Sequence, residues 1–315
     1  MQKMIDKSYQ GNARPEADFL LSVLHQTGYL VRKDINKAWN YCRRAATNGS
    51  FIAQMTLKEI IERADQSNPF FQASLDWFVQ AENCFVPEAW HHAAVLLTLD
   101  CSQRVQNFDK ILSLYRRAAD SGYLPSQHNL AMHLAARGLH LEAYNRLQIA
   151  SEAGHALSRF NMILMQFDGT APVRNIAECV HELQRLSSRQ FAPAQQKLAE
   201  LYQEGVCVPR DDETAYKLYS LAGAQGLMFS QFAVVQMHLD PNGQFYDQRR
   251  AYFLCSRLAM DSYVPAQFLL AQLYNFGRGT RCNSSKALFW YHIAAGNNSV
   301  DAKDWLKQAE QFSRN

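Results

Sequence analysis

Asn283-Ser-Ser-Lys286-Ala287-Leu-Phe-Trp290-Tyr291-His-Ile-Ala294-Ala295 is the stretch whose reading decides the fold. It opens on a residue suited to cap a helix, carries an aromatic pair two turns in and closes on paired alanines. The same order recurs three times upstream. Asp34, Lys37-Ala38, Tyr41, Ala45-Ala46 and Gly49 form one copy. Lys110, Tyr115, Ala118-Ala119 and Gly122 form a second, and Asp211, Ala215, Tyr219, Ala222 and Gly226 a third. Paired small residues at the end of a helix let a neighbouring helix approach closely, and a glycine after them allows a tight turn.

Working outward, a small residue precedes or follows each copy. It falls at Ala17, Ala53, Ala89, Ser126, Ser158, Ala194, Ser230, Ala266 and Ala302, at intervals of 36, 36, 37, 32, 36, 36, 36 and 36 residues. Chance does not space nine small residues this way while also aligning the motifs between them. The next residue is polar in most units: Gln54, Gln127, Gln195, Gln231 and Gln267.

Each unit reads as two helices. The first places apolar side chains at unit positions 1, 5, 8 and 9, as in Ala266, Leu270, Leu273 and Tyr274, which makes one stripe at helical period. It stops at Gly28, Gly169, Gly205 or Gly277. The second opens at Asp34, Asn175, Asp211, Asp247 or Asn283. The fourth unit is four residues short in its inter-helix loop, Arg137-Gly-Leu-His140, where a tight turn is expected. One helical pair cannot bury its stripe alone, whereas a row of pairs can. The expected class is all-α: an N-terminal cap over residues 1–16, a solenoid over 17–301 with units starting near 17, 53, 89, 126, 158, 194, 230 and 266, and a capping helix over 302–315.

This pattern resembles the Sel1-like repeat family, relatives of tetratricopeptide repeats. The match runs over residues 17–302; it is strong in the first, sixth and eighth units, and drifted in the second, with Trp77-Phe78, and in the fifth, with Leu183. The resemblance implies a right-handed α-α superhelix and a role as adaptor, regulator or scaffold in protein complexes, mostly in bacteria. Some cysteine-rich relatives are secreted and associated with β-lactam binding, with paired cysteines in each repeat. This chain has seven cysteines, about one per repeat, and no CxxC, so reduced, buried thiols are expected.

The rest of the composition bounds the function. Net charge is +3 from 32 basic and 29 acidic residues, with no Lys/Arg run beyond two, which argues against a nucleic-acid partner. No apolar run approaches the length of a membrane span, and the start lacks the pattern of a secretion signal, so a cytoplasmic protein is expected. His181-Glu182 lacks the second histidine of a zinc-protease helix, adjacent His91-His92 point to different sides of a helix, and no nucleophile elbow, P-loop or dinucleotide fingerprint occurs. His91, His128 and His133 could approach one another across the third and fourth units, but solvated or hydrogen-bonded histidines are expected there and not a metal site. No enzyme activity, cofactor or metal is therefore expected.

A protein or peptide partner is expected on the first helices, which should line the inner, concave wall. Positions 3, 7 and 10 oppose the buried stripe. Candidate contacts are Phe19, Met55, Glu59, His91, His128, Met132, Phe160, Leu164, Phe167, Glu200, Phe232, Gln236, Phe268 and Gln272. A solvated face would be polar at these places, and an apolar one marks an interaction surface. Position 3 also touches the neighbouring unit, so a Phe there can be partly core. An immunity protein that neutralises a toxin is the narrower alternative. Partner identity and oligomeric state stay open.

Overall fold

A computed structural model describes residues 15–63, 68, 70–81, 86–99, 107–172 and 175–314. Among them are 17 helices and no strand. The first repeat supplies α1 (Pro15–Thr27) and α2 (Ile35–Thr47), the second α3 (Phe51–Glu62) and α4 (Phe71–Gln80), the third α5 (Pro87–Leu99) and α6 (Phe108–Asp120). Then follow α7 (Leu124–Ala136), α8 (His140–Glu152), α9 (Ala156–Phe167), α10 (Ile176–Ser188), α11 (Ala192–Glu204) and α12 (Asp212–Ala224). The last are α13 (Met228–Leu239), α14 (Gln248–Met260), α15 (Val264–Phe276), α16 (Ser284–Gly296) and α17 (Val300–Arg314). Every small residue singled out at a unit start lies in the first turn of a first helix. The expected cap over 1–16 lies outside the described residues except for its last two.

The helices form two compact units, Met1–Met165 with Thr170–Pro172, and Gln166–Gly169 with Val173–Asn315. Within each, packing runs between elements that are neighbours in sequence, as a row of hairpins requires. The first unit buries Leu57, Ile61, Phe78, Ile111, Leu114, Tyr115, Leu130 and Leu134. The second buries Ala266, Leu270, Leu273, Tyr274, Ala287 and Tyr291, and α17 closes that core with Trp305 stacked 3.8 Å from Tyr291.

Local chemistry explains where each helix begins and ends. The side chains of Asp34, Asn175, Asp211, Asp247 and Asn283 accept hydrogen bonds from backbone N–H groups in the first turn of the second helix. The backbone N–H of Asp34, Asp211, Asp247 and Asn283 reaches back to the first helix, to the carbonyls of His25, Tyr202, His238 and Tyr274 at 2.9–3.0 Å. The α7–α8 loop is three residues, Arg137 to Leu139, against seven between α15 and α16, so the missing four residues come out of the turn.

The recurring glutamine ties one hairpin to the next. Nε2 of Gln54, Gln127, Gln195, Gln231 and Gln267 donates to the carbonyls of Ala46, Ala119, Ser187, Gly223 and Ala259, always eight residues earlier, at 2.6–3.3 Å. These carbonyls end the preceding second helix and have no partner inside it. The other end of the amide reaches forward: Oε1 of Gln195 accepts from Gln225 at 2.8 Å, and Oε1 of Gln267 from Asn297 at 2.9 Å. In the first repeat Asp18 occupies this place and binds the Arg44 guanidinium.

Two sequence expectations need correction. Cys42, Cys179 and Cys255 are buried free thiols, but Cys207 and Cys282 are exposed, because both lie in inter-helix loops and not on a packed stripe. Cys84 and Cys101 lie outside the described residues. Burial pushes the Cys42 thiol up to about 11 and that of Cys255 to about 12, so both stay protonated. Position 3 is also less open than expected, as described next.

Candidate functional site: a groove across the first helices of the second unit

Three consecutive first helices, α13, α15 and α17, meet a groove of about 710 Å³. From α13 come Phe232, Gln236 and Leu239, spaced so that all three lie on one face. From α15 come Val264, Pro265, Phe268, Leu269 and Gln272, and from the start of α17 Ser299, Val300 and Asp301. Asp240 closes the far rim. The volume lies within the usual range for a binding cleft.

The two phenylalanines form the floor. Each is half-buried against the core of its own hairpin and meets a tyrosine edge: Phe232 lies 5.6 Å from Tyr263 and Phe268 5.7 Å from Tyr291. Aromatic edge contacts of this kind fix the rings without covering their outer faces. Val300 stays 69% exposed at the opposite lip. Gln236 is exposed and Gln272 half-exposed, and each keeps an amide able to donate and accept. The groove is thus apolar at its base and polar where a chain crossing it would pass.

The charge in the groove has one sign. Asp240 and Asp301 line it, and no Lys, Arg or His does. Neither carboxylate has an ion-pair partner among the described residues. Arg210, the cation within electrostatic reach of Asp240, is bound to Asp212 through Nε and Nη2, both at 3.1 Å.

Four of the fourteen residues expected from sequence, Phe232, Gln236, Phe268 and Gln272, therefore share one groove. The others do not form a continuous stripe with them. Phe160 and His128 are each only 8% exposed, which corrects their reading as open contact residues. The reason is visible at neighbouring repeats, where position 3 meets the opening residue of the next hairpin: His91 Nδ1 lies 2.9 Å from Ser126 Oγ, and His128 Nδ1 3.1 Å from Ser158 Oγ. Phe19 and Met55 are half-buried on the first unit's core. His91 packs edge-on against Tyr115 and Tyr123, and burial holds its pKa near 4. Leu164 and Phe167 are half-buried, while Met132 is 45% exposed. Glu59 is exposed beside Arg63 at 3.6 Å, and Glu200 takes hydrogen bonds from Gln196 and Lys197.

Leu239 falls at position 10 of its unit, on the face expected from sequence but not among the candidate contacts, whereas Asp240, Val264, Pro265, Leu269 and the Ser299–Asp301 lip were missed. One signal was available for the lip: Pro or an apolar residue stands before the opening small residue in most units, but Asp301 does so in the last. No group of three or more His, Cys, Asp or Glu comes together as a metal set among the described residues. No described helix is long and apolar enough to cross a membrane.

The family model described as Sel1 repeat matches residues 15–50, 192–227 and 264–299, which are the first, sixth and eighth hairpins. The chain carries Sel1 repeats at these three positions. A Sel1 repeat protein of Oxalobacter formigenes shares the fold, with a TM-score of 0.71, 21% identity and coverage of 98% of this chain and 90% of that one. An immunity protein of Pseudomonas aeruginosa matches at a TM-score of 0.50 and 18% identity, over 67% of this chain and 80% of its own. An uncharacterized protein of Neisseria meningitidis serogroup B is 26% identical over 255 residues, 69% of this chain. The Sel1-repeat chain spans about half, 53%, of that relative's length.

Proposed function

We propose that this Sel1-repeat protein is a non-enzymatic binding scaffold that holds a partner protein through the first-helix groove of its second unit, in the bacterial cytoplasm. One observation carries the reading. Phe232 and Phe268 are pinned by their tyrosines yet stay half-exposed in a groove that is left open among the described residues. An isolated exposed apolar side chain is ordinary; two aligned aromatic anchors with a polar rim are the arrangement of an interaction surface. Burial of apolar surface at about 25 cal/mol per Å² supplies the affinity, and the glutamine amides fix the orientation of what is bound.

A photo-crosslinking residue placed at exposed Gln236 should yield a discrete protein adduct in the native cell, and one placed at Phe253 on α14, 60% exposed, should not. Phe232→Glu should abolish the adduct while circular dichroism stays helical. Adducts of equal yield from both positions would reject the groove. A narrower reading, an immunity protein that neutralises a toxin, is supported at the level of fold by the Pseudomonas relative. It requires the crosslinked partner to be a toxin whose activity this chain blocks.

A further inference from the structure

We infer that the occupant of this groove is a peptide segment whose apolar side chains are flanked by Lys or Arg; the inference rests on the groove being the docking site. The apolar part follows from Phe232, Phe268 and Val300, which offer ring faces and a branched lip to side chains inserted between α13, α15 and α17. The cationic part follows from the two carboxylates, Asp240 and Asp301, that line the groove with no basic residue among its lining.

Asp301 by itself has an ordinary explanation. It sits in the first turn of α17, where the helix dipole favours a negative side chain. Asp240 does not. It is the C-cap of α13, the helix end where a carboxylate is disfavoured and where the backbone carbonyls add to the negative potential. Its one hydrogen bond, from the backbone N–H of Asn242 at 3.0 Å, would be accepted equally by an asparagine. The fold thus keeps a carboxylate at a helix end that favours cations. The nearby cations are engaged elsewhere as well: Arg210, which also acts on Asp240, hydrogen-bonds Asp212, and Lys303, close to Asp301 in sequence, turns to Asn298 Oδ1 at 3.0 Å. A cation on the bound segment relieves both carboxylates, and an acidic segment is repelled at each rim.

The test uses the full chain and three synthetic peptides titrated by calorimetry at low salt. They share an apolar Leu-Phe-Leu centre with Gly spacers and differ only in flanks of Lys, Ser or Glu. The expected order of affinity is Lys, then Ser, then Glu, with roughly two- to fivefold per carboxylate engaged. The isosteric pair Asp240→Asn with Asp301→Asn should erase the Lys-over-Ser preference and leave the Ser-flanked peptide's affinity unchanged. High salt should erase the same preference. Equal binding of all three, abolished by Phe232→Glu, would overturn the charge selection and leave the docking site standing. A Lys preference that survives in the double variant, or tighter binding of the Glu-flanked peptide, would also overturn it. Absence of binding by all three would overturn both readings.

Discussion

The boundary between the seventh and eighth repeats and the boundary between the second and third solve one problem in two ways. Both must satisfy carbonyls that end a second helix and have no partner within it. At the later boundary Gln267, 2% exposed, donates to Ala259 O and accepts from Asn297, so a single neutral side chain joins the seventh hairpin to both ends of the eighth. At the earlier boundary the same unit position holds Trp90. The carbonyls of Val79 and Ala81 are met instead by Arg117, reaching from α6, with its guanidinium 4.6 Å over the Trp90 ring. A cation at a helix C-terminus is electrostatically sound. The exchange is incomplete, however, because the Trp90 indole N–H and the Ser74 hydroxyl are buried without a hydrogen-bond partner among the described residues. The difference teaches that the repeat is conserved as a set of obligations to backbone groups, and that a drifted unit meets them with whatever long donor comes from a neighbouring helix.

The largest expected effect comes from breaking the neutral link. Gln267→Leu keeps the volume but removes the amide's bonds to the Ala259 carbonyl, which keeps the Ser262 N–H, and to Asn297, which is exposed. Two hydrogen bonds at about 0.5–1 kcal/mol each should cost the second unit roughly 1–2 kcal/mol, seen as a lower urea midpoint. A loss under about 0.5 kcal/mol would show the glutamine to be incidental.

The next effect separates the two regions by acid. His91, in the third repeat, has its pKa lowered from 6.5 to about 4, first by burial and then by His92. The unfolded chain therefore binds the proton more tightly than the folded one. Stability is fully present above pH 6.5 and is lost as pH falls toward 4. The equivalent place in the eighth repeat is Phe268, which does not titrate. Hydrogen exchange, corrected for intrinsic rate, should therefore accelerate in α5–α6 between pH 6.5 and 4 and stay level in α15–α16. His91→Gln should flatten the first profile. Parallel profiles in both regions would remove histidine burial as the cause.

The smallest effect concerns the turn after the second helix. Gly226 adopts φ +97° there with open space around it, and Ser262 occupies the same place one repeat on at φ +64°. A side chain in the left-handed region is strained by about 1 kcal/mol. Ser262→Gly should raise stability by about that much, read as a higher urea midpoint, whereas Gly226→Ser should lower it.

Much of the fold was legible because its signals are local. The caps at Asp34, Asp211 and Asn283, the stop at Gly277 and the short Arg137–Leu139 turn each depend on a few adjacent residues. The glutamines were visible as a recurrence, but their partners lie eight residues back and about thirty forward, on other helices. Position 3 misled for the same reason: its exposure depends on the neighbouring hairpin, which covers Phe160 and His128 and leaves Phe232 and Phe268 half-open. At the candidate site, two rings and two amides were readable from unit position, whereas the acidic rims needed the packing of α17 beside α15.

The sequence by itself determined the all-α class, the repeat length, the helix ends and which stripe is buried, because hydrophobic period and capping chemistry act within one hairpin. Only the tertiary structure decided which of the outward side chains remain accessible, which polar groups join successive hairpins, and that Asp240 and Asp301 line one groove with two aromatic rings. Those outcomes depend on the side chains each hairpin meets on its neighbours, and no single unit of the repeat contains that information.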